Sequence, residues 1–222
     1  MTKTKIYKGD NLNKNMIIPG DPSGSPDDFI SVVVFIDNAY LLRLKNYLFA
    51  SGLKYSIKNF VLIVAKRNHC NVKKIFLYDA PPFQSPFPSE EEKKRKVFYD
   101  RVVTYLKADS IEVREGRTQR LRAGKEFIFK QKGVDMLLGI DMVSIKEDFS
   151  DIKQVVLLSG DSDFVPVVGK LKKQGINVAL WTYFERKRKS PFSKSNELIK
   201  ATNGYIKINI QDFQEAKLDV KK

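Results

Sequence analysis

The 222-residue chain has one cysteine, Cys70, and one histidine, His69. A single thiol closes no internal disulfide, which suits a reducing compartment. The two residues are too few for a structural zinc site. A lone histidine also excludes any mechanism that needs two as acid and base. The pair reads as a loop or helix end with no special role. No apolar run approaches the ~20 residues of a membrane span. The first residues are polar and basic, unlike a signal peptide, so the expected location is the cytoplasm. Acidic residues are in the minority: 26 Asp plus Glu face 40 Lys plus Arg, a formal charge of +14. Such an excess favours a polyanionic partner, nucleic acid before an anionic membrane. A hydrophobic share of 42% is enough for one solid core.

Hydrophobic patterning divides the chain. Residues 1–28 hold Pro19, Gly20, Pro22, Gly24 and Pro26 with few apolar residues, and read as a flexible tail. The run from Gly20 to Pro26 lacks the Gly-Lys-Ser/Thr ending of a phosphate loop. Residues 29–210 read as one domain and 211–222 as a basic tail. Phe29–Ile36 is β-branched and apolar without alternation, as in a parallel strand buried on both faces. Helical patterns follow over 39–50 and 58–66, a strand over 72–78, and a long helix over 89–107 opened by Ser89-Glu-Glu-Glu92. Residues 110–129 predict short strands or a hairpin, and 133–145 a helix. A second buried strand covers 154–159, then a helix over 164–174 capped by Gly175, a strand over 177–181, a helix near 195–201 and a strand near 205–208. Strands alternating with helices predict a three-layer α/β sandwich around a mainly parallel sheet.

In such sheets ligands sit beyond the carboxyl ends of the strands, where strand order reverses. Two predicted strands end there in aspartate: Asp37, followed by Asn38, and Asp161, followed by Ser162 and Asp163. Asp135 opens the helix after Lys132-Gly-Val, and Asp141 lies further along it. Two carboxylates ~5 Å apart repel by about 3 kcal/mol at an effective dielectric near 20. A cluster must therefore take up protons or a hard cation such as Mg²⁺ or Mn²⁺. The plainer alternative is helix capping, by Asp163, Asp135 or Asn38. Gly160 is expected to let the backbone turn so that Asp161 faces the crevice. Ser159 and Ser162 would hold water or phosphate, or satisfy the turn. Asp141 would support the site from behind.

Phe35-Ile-Asp-Asn38, Leu77-Tyr-Asp-Ala-Pro-Pro82, Gln131-Lys-Gly-Val-Asp135 with Asp141, and Val156-Leu-Leu-Ser-Gly-Asp-Ser-Asp-Phe164 occur in that order. Together they resemble the NYN domains of the LabA-like group, relatives of the PIN nucleases, over residues 29–208. The resemblance implies a PIN-like α/β nuclease fold with an acidic Mg²⁺ or Mn²⁺ pocket, usually acting on RNA. It assigns metal binding to Asp37, Asp135, Asp161 and Asp163, with Asp37, Asp135 and Asp161 catalytic. It also marks a departure: the family often has Asn three residues after the first Asp, where this chain has Tyr40.

The expected chemistry is metal-assisted phosphodiester hydrolysis by an activated water. Lys132 is placed to neutralise phosphate. Two basic runs, Arg114, Arg117, Arg120, Arg122 and Arg186-Lys187-Arg188-Lys189, would track an RNA backbone, and Tyr183 and Phe184 would stack on bases. Either run is otherwise a solvated face. The candidate partners are single-stranded or structured RNA and a second copy of the chain. Two other functions compete with a ribonuclease: a non-catalytic RNA-binding or adaptor module on the same fold, and a phosphatase of the haloacid dehalogenase type. The phosphatase needs a second Asp two residues after its nucleophile, and Ala39 stands at that position after Asp37.

Overall fold

Five consecutive side chains, Val32 to Ile36, are fully removed from solvent in the first strand, β1 (Ile30–Asp37). Only a strand covered on both faces does this, and each such side chain contributes about 1.5–3 kcal/mol by burial. The computed structural model describes residues 29–50, 52–124, 126–185, 190–193 and 195–218. After β1 come α1 (Asn38–Leu48), α2 (Ile57–Arg67), β2 (Cys70–Asp79), α3 (Glu90–Ala108) and β3 (Ile111–Glu115). An antiparallel ribbon, β4 (Arg117–Ala123) and β5 (Glu126–Lys132), precedes α4 (Val134–Val143) and α5 (Ile145–Asp148). The chain continues through β6 (Gln154–Leu158), a 3₁₀ turn (Ser162–Phe164), α6 (Val165–Lys173), β7 (Asn177–Thr182), α7 (Asn196–Ala201), β8 (Gly204–Lys207) and α8 (Ile210–Glu215).

Among the described residues the central sheet has six strands, all parallel, in the order β3-β2-β1-β6-β7-β8. The chain builds outward from β1 in one direction and then from β6 in the other. β1 and β6 are therefore neighbours at the point where strand order reverses. Val32, Val34 and Ile36 pack with α1, α2 and α8, while Val33 and Phe35 pack with α4 to α7. The result is the expected three-layer α/β sandwich. No helix among the described residues is long and apolar enough to cross a membrane.

Local signals account for most boundaries. Ser89 and Glu92 form a reciprocal capping box at the start of α3. The helix expected over 133–145 is interrupted at Ser144, which closes α4 and precedes the single turn α5. The larger difference is at the other end. Residues 211–218, read from the sequence as the start of a basic tail, belong to the fold. Asn209 and Asp212 cap α8 with a second capping box, Phe213 is fully buried, and its ring lies 4.5 Å from that of Phe60 in α2. Arg67 donates to both oxygens of the buried Asp212. One aromatic and one paired carboxylate suffice to dock so short a helix, and neither produces a visible periodicity.

Candidate active site

Ile36 pairs with Leu158 across β1 and β6, so the next residues, Asp37 and Ser159, face each other at the strand ends. The Ser159 hydroxyl donates to Asp37 Oδ2 at 3.0 Å and accepts from the Asp161 amide at 3.2 Å. Asp37 Oδ1 accepts from the Tyr40 amide at 3.0 Å, so Asp37 itself caps α1. Asn38 does not cap; it donates to Asp79 Oδ2 at 2.7 Å. One cavity of about 630 Å³ opens here, lined by Asp37, Tyr40, Arg43, Gln131, Asp135 and Asp161, with Ala39, Gly160 and three serines, Ser162, Ser193 and Ser195. The reversal point predicted from strand order is where the carboxylates meet.

Three of the proposed ligands, Asp37, Asp135 and Asp161, thus share one cavity. Asp163 does not line it; its amide donates to Asp161 Oδ1 at 2.9 Å, which makes Asp161 the cap of the 3₁₀ turn. Asp135 caps nothing: the residue before α4 is Gly133, and the helix has no side-chain cap. Burial pushes the Asp37 carboxyl above the ordinary carboxylate range. The Tyr40 amide and the Ser159 hydroxyl pull it back, and the charges of Asp135 and Asp161 push it further up. Asp135 is also raised, by the surrounding protein first and then by Asp161 and Asp163. The Asp161 charge thus makes both Asp37 and Asp135 harder to ionise.

Asp141 is elsewhere. It accepts from the Tyr78 hydroxyl at 2.8 Å and from Arg114 Nε at 2.9 Å and Nη2 at 3.2 Å. That fork removes Arg114 from the set of free phosphate contacts. Phe184 is buried against Tyr205, with Lys207 over its ring, and so does not stack on bases as expected; Lys207 also lies over Tyr183. Arg117, Arg120 and Arg122 lie on β4, and Lys132 ends β5 opposite Arg117. Arg186, Lys187, Arg188 and Lys189 lie outside the described residues.

At several residues in and beside the cavity the structure shows roles that the sequence did not assign. Tyr40 is nearly buried. Its hydroxyl meets Thr182 Oγ1 at 3.0 Å, accepts from the Tyr183 amide at 2.7 Å and reaches the Tyr183 carbonyl at 3.1 Å. The departure at this position therefore fastens α1 to the end of β7. Gly160 has no left-handed backbone; a β-carbon there would lie 2.6 Å from Tyr40 Cε2. Its absence of a side chain is a matter of space for the tyrosine, not of turn geometry. Arg43, one helical turn after Tyr40, lies over the Phe192 ring at 5.1 Å and is the cation that lines the cavity among the described residues. Its spacing from Asp37 and Tyr40 was the available clue. Asp79, given no role from the sequence, ends β2 beside Asp37. It is held by Asn38, by the Ala80 amide at 2.7 Å and by Gln131 at 2.9 Å.

The profile of the NYN domain family matches residues 31–209. The chain belongs to the NYN domain family. Members have a PIN-like nuclease fold and are generally connected with RNA. No curated protein matches the sequence. A crystal structure of a protein of unknown function from Vibrio parahaemolyticus is similar, with a TM-score of 0.55 and 20% identity, covering 86% of this chain and 98% of that one. At that identity the likeness concerns the fold alone.

In this NYN domain no three His, Cys, Asp or Glu side chains among the described residues form a ready-made ligand set. A dehydrated cage of the calcium type is thus a poor fit. Mg²⁺ behaves differently: it keeps several waters and takes one or two carboxylates directly. Asp37, Asp135 and Asp161 around one open cavity could hold such a hydrated ion, which would offset the burial and the repulsion that raise Asp37 and Asp135.

Proposed function

We propose that this NYN domain, of the LabA-like group, is a Mg²⁺- or Mn²⁺-dependent endoribonuclease that hydrolyses RNA phosphodiester bonds in the cavity at the β1–β6 strand ends. The observation that carries the proposal is the convergence of Asp37, Asp135 and Asp161 on that cavity, with Arg43 on its wall. Asp37, Asp135 and Asp161 would hold the ion. When bound, it supplies Lewis-acid stabilisation of the phosphoryl oxygens and a water of lowered pKa. Ser159 fixes the orientation of Asp37 and, through the Asp161 amide, the approach of the second strand end. Arg43 brings a permanent positive charge to the wall where a phosphate would sit. Ser162, Ser193 and Ser195 offer hydroxyls to the non-bridging oxygens.

The test is cleavage of a labelled RNA in Mn²⁺ by wild type and by the Asp37→Asn/Asp161→Asn double variant. The wild type cuts and the variant does not. Cutting by both, or by neither, overturns the proposal. A non-catalytic RNA-binding role is the second reading, favoured by the lack of a ready-made ligand set. In that case RNA binds without cleavage in either protein. The phosphatase reading lacks support, since Ala39 occupies the position of its second carboxylate.

A further inference from the structure

The β4–β5 ribbon stands outside the central sheet. Its register pairs Thr118 with Gln131, Arg120 with Phe129, and Arg122 with Phe127. Side chains alternate between faces along each strand and directly opposed residues share one. These three pairs therefore form one face. The opposite face carries Arg117 with Lys132, Gln119 with Lys130, and Leu121 with Ile128.

The first pair is rooted at the cavity. Gln131 lines it and donates to Asp79, and Thr118 donates to the Pro81 carbonyl at 2.6 Å. The next two pairs run outward. From Gln131 to Phe127 is four residues, about 14 Å at ~3.4 Å each. Along that line Phe129 and Phe127 are 54% and 55% exposed. The Arg120 guanidinium lies 4.6 Å from the Phe127 ring centre and 4.9 Å from that of Phe83, which in turn sits 5.6 Å from Phe129. Arg122 donates to the Gly124 carbonyl at 3.2 Å. Among the described residues neither guanidinium has a carboxylate partner. Where the ribbon leaves β3, Gly116 is crowded: a β-carbon there would lie 2.6 Å from the Lys132 carbonyl oxygen and 2.7 Å from Val134 Cγ2.

Half-exposed rings alternating with unpaired guanidinium groups are poorly suited to an apolar protein partner, which would leave the charges buried and unsatisfied. They suit a polymer that offers a flat π-face and an anion at each repeat. Paired bases hide their faces in the stack, so the rings can engage only unpaired ones. We infer that the Thr118–Gln131, Arg120–Phe129 and Arg122–Phe127 face is a stacking track for single-stranded RNA leading out of the acidic cavity. Phe127 and Phe129 stack on two or three successive bases, on the order of what comparable sheet platforms accept. Arg120 and Arg122 meet the phosphates. The inference rests on the reading of the cavity as the place where RNA is cut, and it names the substrate class as single-stranded.

The test uses the full chain in EDTA, so that no cutting occurs, and a fluorescent 12-nucleotide single-stranded RNA against a blunt duplex containing the same strand. Phe127→Ala/Phe129→Ala weakens single-strand binding by roughly 10-fold per ring and leaves duplex binding unchanged. Phe127→Tyr/Phe129→Tyr retains the rings and restores affinity, which separates lost stacking from lost folding. Arg120→Ala/Arg122→Ala weakens both RNAs and flattens the salt dependence. The inference is overturned by unchanged affinity in the alanine variants or by equal losses on duplex and single strand. It is equally overturned if ring removal dissolves a homodimer or abolishes binding to anionic vesicles in place of RNA. Failure of the nuclease reading is separate: adding Mn²⁺ to wild type would give no cleavage while these affinities still differed.

Discussion

At the strand ends, Asp37 is nearly buried and held through both carboxylate oxygens, whereas every residue of β5 is exposed. The cavity is acidic and its members are positioned by the sheet. The ribbon is basic and is tied to the rest of the fold at its base, by Thr118 to the Pro81 carbonyl and by Gln131 to Asp79. Burial first, and neighbouring carboxylates after it, raise Asp37 and Asp135, so ionising them in the fold is costly without a cation. Charges spread along a ribbon in water cost little. In the proposed reading, chemistry would sit where the side chains are most buried, and grip where they are most exposed.

This contrast is open to direct attack, beginning with the cavity. Asp161→Asn is expected to lower Mn²⁺-dependent cleavage by more than about 100-fold, beyond the range for residues that act through another, while RNA affinity in EDTA is kept. Single-turnover kinetics with matched binding curves check this. Ser159→Ala, which touches no substrate but orients Asp37, should cost about 10–100-fold in activity or metal affinity. Titrating Mn²⁺ against rate distinguishes it from a fold defect. Tyr40→Phe leaves Thr182 and the Tyr183 amide short of a partner and is expected to cost about 1–3 kcal/mol in urea unfolding.

The sign of the pH dependence follows from the raised carboxyls. In the folded chain Asp37 and Asp135 hold protons above the unfolded carboxylate pKa of ~4, so folding takes up protons in that range. Their contribution to stability is full below the unfolded value and is lost as pH rises through the folded values. Thermal melts in EDTA should decline across that interval, Asp37→Asn should flatten the decline, and Mg²⁺ at neutral pH should reverse it. The smallest effect on stability belongs to the ribbon. Arg122→Ala should move unfolding by no more than about 0.5 kcal/mol, yet reduce the salt slope of single-strand binding by about 0.7.

The strand ends were legible because a parallel strand buried on both faces is a run of Val, Ile and Phe that stops abruptly, and Asp37 and Asp161 stand at the stops. Arg43 and Gln131 were not, since one lies inside a helix and the other in the ribbon, and neither stands at the end of a central strand. The arginine run at 114–122 illustrates the limit in one segment. Arg114 and Arg120 look alike in sequence, but one lies opposite Asp141 and the other between two phenylalanines. Only the folded register separates an ion pair from a recognition surface. The docking of α8 was hidden for a related reason, resting on Phe213 and Asp212 with no repeat to announce them.

Gly116 links the two surfaces. A β-carbon there would crowd the Lys132 carbonyl and Val134, so Gly116, with the Thr118–Pro81 and Gln131–Asp79 contacts, helps set the angle at which the ribbon departs. If the cavity cuts and the ribbon holds as proposed, fragment length, the number of nucleotides between the hold and the scissile bond, would depend on that crossing. Widening it with alanine would shift the ruler without altering either of its marks.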